Sequence, residues 1–228
     1  MPRAPGQSAR ADLGPAARVA MDAGGFAVGS LFAALAASRH AKGLHPYGPA
    51  FAARVSIDGA QHAPRGSALL AQPAEHEAIL RFSRALGLPA PLPDLLGAGL
   101  RIPDVYGPGR HQDILLTSTV DRPVLRRVFL PACGFAARPY GSGVSYRAGT
   151  DTFRLGLVPL SARTFALCCS AGGPFRAVGR VELGARLAPP AEALRLHPYN
   201  CGGGLEPVGL VNRLRDYAYP LSQAAWAS

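Results

Sequence analysis

Lysine is nearly missing from this chain: Lys42 is the only one among the 24 lysines and arginines. Arginine therefore carries the formal net charge of +10 at pH 7. The arginines stand singly or in pairs such as Arg126–Arg127, with no run of five or six. That absence removes the dense basic stripe a nucleic-acid binder presents to phosphates. The expectation is a solvated basic surface, no specific nucleic acid, and some arginines free to pair with the carboxylates of a buried anionic ligand.

Cysteine is sparse as well. Cys133, Cys168, Cys169 and Cys201 form no CxxC and no cysteine–histidine cluster with zinc spacing, so nothing demands an oxidising compartment. Vicinal Cys168–Cys169, inside TFALCCSAGG, read as small core residues of a strand. GxSxG, P-loop and HExxH motifs are all absent. His45 and His197 each open an HPY triplet with no carboxylate nearby, and mark turns rather than a metal pair.

Long apolar runs are lacking too. The run GGFAVGSLFAALAAS, at about 14 residues, is too short for a membrane span. Asp22 precedes it, and Val28, Leu31, Phe32 and Leu35 recur at helical spacing, which predicts an amphipathic helix leading into His40. A cleaved signal with ALA before the cut is the minority alternative. The expected location is cytoplasmic.

What the chain has in plenty is glycine (27) and proline (22), in 228 residues of which 48% are apolar. It is long enough to bury a full core, turn-rich, and leaves little room for long helices. Residues 1–15, rich in Pro, Gly, Ala and Arg, are expected to be a disordered tail, and 16–228 a single domain. AFAARVSID reads as a strand closed by the turn pair Asp58–Gly59. Residues 60–75 read as a loop, HEAILRFSRAL as a short apolar stretch, and GAGLRIPDVYGPG as strand and turn. QDILLTSTV is strand-like, and PVLRRVFLP is a short helix or a strand. GVSYRAG, TFRLGLVPL, TFALCCSA and RAVGRVELGARLAPP supply further strands. A helical stretch is expected from about Gly209 to Trp226. The fold class this predicts is α+β: a mostly antiparallel β-barrel with an N-terminal helix and a C-terminal helix.

Four segments, in order, resemble the haem catalases and their small relatives. HAKG, at His40–Gly43, is similar to the segment of the distal histidine that runs into a barrel strand. LRFS, at Leu80–Ser83, is similar to the family's VRFS. YGSGVSYRAGTDTFRLGLVP resembles an aromatic–x–Ser–x–x–x–Tyr–Arg stretch before a strand ending in Val-Pro. RDYAYPLS, at Arg215–Ser222, resembles the helix that carries the axial tyrosine. The resemblance implies a catalase-type barrel that binds haem b and acts on hydrogen peroxide or an organic hydroperoxide; a homo-oligomer is compatible with the chain. It implies His40 as distal acid–base group, Ser83 as its hydrogen-bond partner, and Tyr219 as axial ligand of the iron. Arg215 would be the phenolate's partner and Arg81 a propionate contact; by its charge, Arg39 is a candidate for the second propionate. A catalase-fold barrel that has lost haem and binds a ligand or partner is the alternative.

The residue chemistry stands beside this. A tyrosine is anionic at neutral pH only where a cation or metal stabilises it. Arg215, four residues before Tyr219, shares its face on a helix. Tyr217 competes, because Arg213 precedes it by the same interval; Ser222, three residues after Tyr219, favours the latter. An imidazole held by a hydroxyl can carry a proton between two peroxide oxygens. Ordinary explanations exist for each: His40 as a helix-end cation, Tyr219 as packing of an amphipathic helix, Arg81 as surface. The sequence also departs from the family. The place of a distal asparagine reads LLTSTVDRP, with Thr117, Ser118 and Thr119, and the chain is short. Peroxidase or hydroperoxide chemistry is therefore expected over fast peroxide dismutation.

Overall fold

The computed structural model describes residues 48–123, 125–188, 194 and 196–208. All lie in one compact unit, Gly43–Ser228. Ten strands follow in chain order: β1 Ala50–Asp58, β2 Pro73–Arg84, β3 Leu96–Ile102, β4 Gln112–Ser118, β5 Tyr140–Gly141, β6 Ser145–Ala148, β7 Asp151–Pro159, β8 Thr164–Ser170, β9 Arg176–Arg186 and β10 Glu206–Val208. Every pairing between them is antiparallel.

Strands β1, β2, β3, β4, β5, β7, β8 and β9 follow one another round a ring, and β1 meets both β2 and β9. The pairing of β7 with β8 closes it. The result is an eight-stranded up-and-down barrel with no free edge in the ring. Alternation explains which way each strand faces. Leu80 and Phe82, Ala98 and Leu100, Ile114 and Leu116, Leu155 and Leu157, and Phe165 and Leu167 join one buried cluster inside. Phe82 stacks on Phe135 at 4.8 Å and lies 5.7 Å from Phe165 and 6.0 Å from Tyr140. The interior is a packed core, as expected for eight strands.

A second layer covers part of the outside. On β7, Gly156 faces outward, and the Phe175 ring lies where its Cβ would be. On β3, Gly99 faces outward and the Leu196 side chain occupies the same kind of socket. Any larger residue at either position would collide with these covers. Residues 200–208 complete the wall. Strand β4 pairs with β5 only at Thr117–Gly141 and Ser118–Tyr140. Further along, the Asp113 N–H donates to the Asn200 carbonyl at 2.7 Å, while β10 pairs with β6. The segment thus bonds β4 on one side and β6 on the other, two strands that do not pair with each other among the described residues.

The α+β expectation is overturned. The described residues form an all-β barrel, whose only helical element is a single 3-10 turn, Leu125–Arg127, within PVLRRVFLP. The expected N-terminal and C-terminal helices fall outside the described residues. The physical reason is that pairing of the strands alone closes the described fold, with no helix taking part. Two smaller readings shift too. The stretch HEAILRFSRAL is the body of the 12-residue β2, and that strand starts at Pro73, inside the expected 60–75 loop. Among the described residues no helix is long and apolar enough to cross a membrane.

Candidate functional site

Strand β2 carries two of the implied site residues. Leu80 and Phe82 point into the core, so Arg81 and Ser83 point outward, one pleat apart. Register extends their rows across the neighbouring strands. Ser83 faces Gly97 on β3, and Gly97 faces Thr117 on β4. Arg81 faces Gly99, and Gly99 faces Leu115. These two rows of the outer face thus carry one guanidinium and two hydroxyls beside two buried glycines, Gly97 and Gly99. Adjacent strands lie about 4.8 Å apart, which puts Ser83 and Thr117 about 10 Å from each other.

Ser83 is only 5% exposed although it faces away from the core. Part of its cover is Gly48, whose backbone packs on the Phe82 carbonyl and the Ser83 Cα. The Phe82 N–H donates to the Pro49 carbonyl at 2.9 Å and fixes that approach. His40 stands eight residues before Gly48 in the sequence.

The three hydroxyls expected near the place of an asparagine separate by role. Ser118 points inward, accepts the Leu96 N–H at 3.0 Å and donates to the Leu130 carbonyl at 2.7 Å. Thr119 is spent on the carbonyls of Arg126 and Val128, at 3.1 and 2.8 Å. Thr117 alone stands in the outward row with Ser83. Of the other motif residues, Tyr146 is buried in the barrel core, and Arg147 makes an exposed ion pair with Glu206 at 3.0 Å. Their part in the described structure is packing and surface pairing. His40, Arg39, Arg215 and Tyr219 lie outside the described residues, so the structure brings together only Arg81 and Ser83 of the implied set. Thr117 joins them through register.

One edge of this face is built by a buried carboxylate that sequence reading missed. Asp113, on β4, has no exposed surface. It accepts from Arg101 Nε and Nη2 at 2.7 and 2.6 Å, from the His197 N–H at 2.8 Å and from Asn200 Nδ2 at 2.8 Å. A charge in the strand QDILLTS was the available signal: an aspartate there needs partners if it is covered. These bonds hold residues 196–200 over β3 and β4 and seat Leu196 on Gly99.

Further round the barrel, Arg126 is also buried. It donates to Ser170 Oγ and Asp121 Oδ1, each at 2.5 Å, and its guanidinium lies 4.0 Å from the Phe175 ring centre. Beside it, burial pushes the outward Cys168 thiol up to about 12, with Asp121 adding to the rise and Arg126 opposing it. Cys169 points into the core, and burial raises its thiol as well. Burial, aided by Glu206, raises Cys201 in the same direction. Cys133 is exposed. With the thiolate as the reacting form, one fast equivalent is expected on adding Ellman's reagent at pH 8 to the native protein. Cys133→Ser should abolish it, and fast reaction at Cys168 or Cys169 would contradict their placement.

Among the described residues, no group of three or more His, Cys, Asp or Glu could hold a metal ion. No family model matches the chain, and no curated protein matches it.

Proposed function

We propose that the chain is a catalase-like haem protein that acts on hydrogen peroxide or an organic hydroperoxide in the cytoplasm. The reading rests on the ordered motifs. The observation that carries it is the joint placement of Arg81 and Ser83 on one outward face, with Ser83 buried. A guanidinium on that face suits a ligand carboxylate. When bound, haem would supply the two electrons that cleavage of the O–O bond consumes.

The remaining roles belong to side chains. His40 takes the proton from one peroxide oxygen and delivers it to the other, so that water or an alcohol leaves. Ser83 holds the second nitrogen of that imidazole and fixes which one is free to accept. Arg215 keeps the Tyr219 phenolate ionised, and Arg81 and Arg39 pair with the two propionates. Thr117 offers a single hydroxyl where the family has an asparagine amide, which favours peroxidase or hydroperoxide chemistry over dismutation.

Titrating the purified protein with haemin tests this. A Soret band with the charge-transfer features of tyrosinate ligation is expected, lost in Tyr219→Phe and retained in Tyr217→Phe. No Soret band, or one indifferent to Tyr219, removes the proposal. The missing asparagine favours one second reading, a barrel without haem that binds a ligand or partner. It predicts a colourless protein whose His40→Ala variant keeps its function in the cell.

A further inference from the structure

Two loops at one end of the ring join in an exposed apolar surface. Neighbouring strands alternate in direction, so the β2–β3 and β4–β5 connections both leave from the end where β1 begins and β9 finishes. Asp94 in the first and Ala132 in the second exchange backbone hydrogen bonds at 3.1 and 2.9 Å. Beside that bridge lie LGLPAPLP, residues 86–93, and PACGFAA, residues 131–137, with no charged side chain in either. Leu86, Leu92, Pro91, Pro93, Ala136 and Ala137 are exposed there. The leucine loop is firmly built. The buried Asp94 carboxylate accepts the Leu86 and Leu88 N–H groups at 2.9 and 3.0 Å. The Leu92 N–H donates to the Pro89 carbonyl at 2.9 Å, and Arg84 donates to the Leu92 carbonyl. Exposed apolar surface held in one shape marks a contact region.

The charge around it has one sign. From residue 80 to 102 and from 127 to 150 the only carboxylate is Asp94, which is buried. Arg84 and Arg138 stand at the outer limits of the two loops, and the exposed Arg186 closes β9 at the same end. The opposite end differs. Its β1–β2 and β3–β4 connections carry Arg65 and Arg110 but also Asp104, with Asp58 closing β1. None of the exposed large hydrophobic side chains of the described residues lies on them. A nucleic acid would answer the arginines and leave the leucines in water. A bilayer with anionic headgroups answers both. We propose that this end of the barrel docks on an anionic lipid surface, independently of any haem. Leu86 and Leu92 enter the headgroup region by about 5 Å, and the arginines meet lipid phosphates and carboxylates.

Flotation of the full chain tests this. The vesicles are phosphatidylcholine alone, or phosphatidylcholine with phosphatidylserine as about one-third of the lipid. Thermal unfolding checks that each variant is folded. Wild type should float with the anionic vesicles and be released as salt rises. Leu86→Ser with Leu92→Ser should lower partitioning about tenfold. Arg138→Gln with Arg186→Gln should lower it by about fivefold per arginine. Arg65→Gln with Arg110→Gln, at the opposite end, should stay within about twofold of wild type. An environment-sensitive fluorophore on Cys133, exposed within the second loop, needs no substitution: its emission should shift to the blue on anionic vesicles. No flotation and no blue shift overturns the proposal. So does flotation indifferent to the leucines, or weakened equally from the opposite end. Oligonucleotide binding through the same arginines without flotation would make the partner a nucleic acid. A leucine-dependent dimer without flotation would make it a second copy of the chain.

Discussion

Phe82→Ala is expected to lower the free energy of unfolding by about 3–5 kcal/mol, the range for emptying a buried aromatic site. Phe82 is 2% exposed and stands at the meeting point of four rings. Phe51 approaches edge-on at 6.2 Å, Phe135 stacks at 4.8 Å, and Tyr140 and Phe165 lean in from β5 and β8. Those partners come from both flanks of the ring and from the loop between β4 and β5, so no one element can move in to fill the space. The Tyr140 hydroxyl, whose titration burial pushes upward, donates to the Phe135 carbonyl at 2.8 Å and holds that loop in place. Urea unfolding followed by circular dichroism measures the loss. Phe82→Leu, which keeps most of the volume, should cost less than half as much. A loss under about 1 kcal/mol for the alanine would mean that the rings do not form one core.

The second large effect is electrostatic. Asp113→Ala should cost about 3–5 kcal/mol, because it leaves the Arg101 guanidinium without its buried counter-charge. It also strips the His197 N–H and the Asn200 amide of their acceptor. The Arg101 side chain is only 14% exposed, so water cannot readily replace the carboxylate. Replacing both partners, in Asp113→Leu with Arg101→Leu, should recover a good part of the loss, since an apolar pair avoids the orphaned charge. The surface pair Arg54–Glu75, with side chains 63% and 66% exposed, is the control: Glu75→Ala should change stability by less than about 1 kcal/mol. An equal effect at the two sites would show that the Asp113 cluster is wet. Hydrogen exchange gives a separate view, for the amides of 196–200 should lose protection in Asp113→Ala while those of β7 and β8 keep theirs.

Strand content could be read from the chain where one face is apolar and turns bracket the run. TFRLGLVPL and TFALCCSA became β7 and β8, and the small, buried cysteines sit within the latter. The first half of β2, PAEHE, has no large apolar residue to mark an inward face, so its strand character is hidden in the sequence. An antiparallel barrel was legible, and the structure has one; which pair closes it was not, since nothing in β7 or β8 alone announces that they pair. The outer layer was equally hidden. Nothing in the sequence marks Gly99 or Gly156, each within a strand candidate, as a socket for a side chain from another part of the chain. For the same reason a serine pointing out of a barrel would be taken as exposed, and Ser83 is not. Of the four motifs, LRFS lies on β2, with Arg81 and Ser83 facing outward. The stretch around Tyr146 and Arg147 has an ordinary structural use, and HAKG and RDYAYPLS lie outside the described residues.

The seam between β4 and β6 has a bearing on how the protein is made. Both strands emerge from a ribosome well before residues 200–208, which they need as a common neighbour. Until that segment arrives, the nascent barrel carries two bare hydrogen-bonding edges, the surfaces on which chains stick to one another. Slow translation or a stop codon ahead of Asn200 would therefore convert a covered wall into an adhesive one.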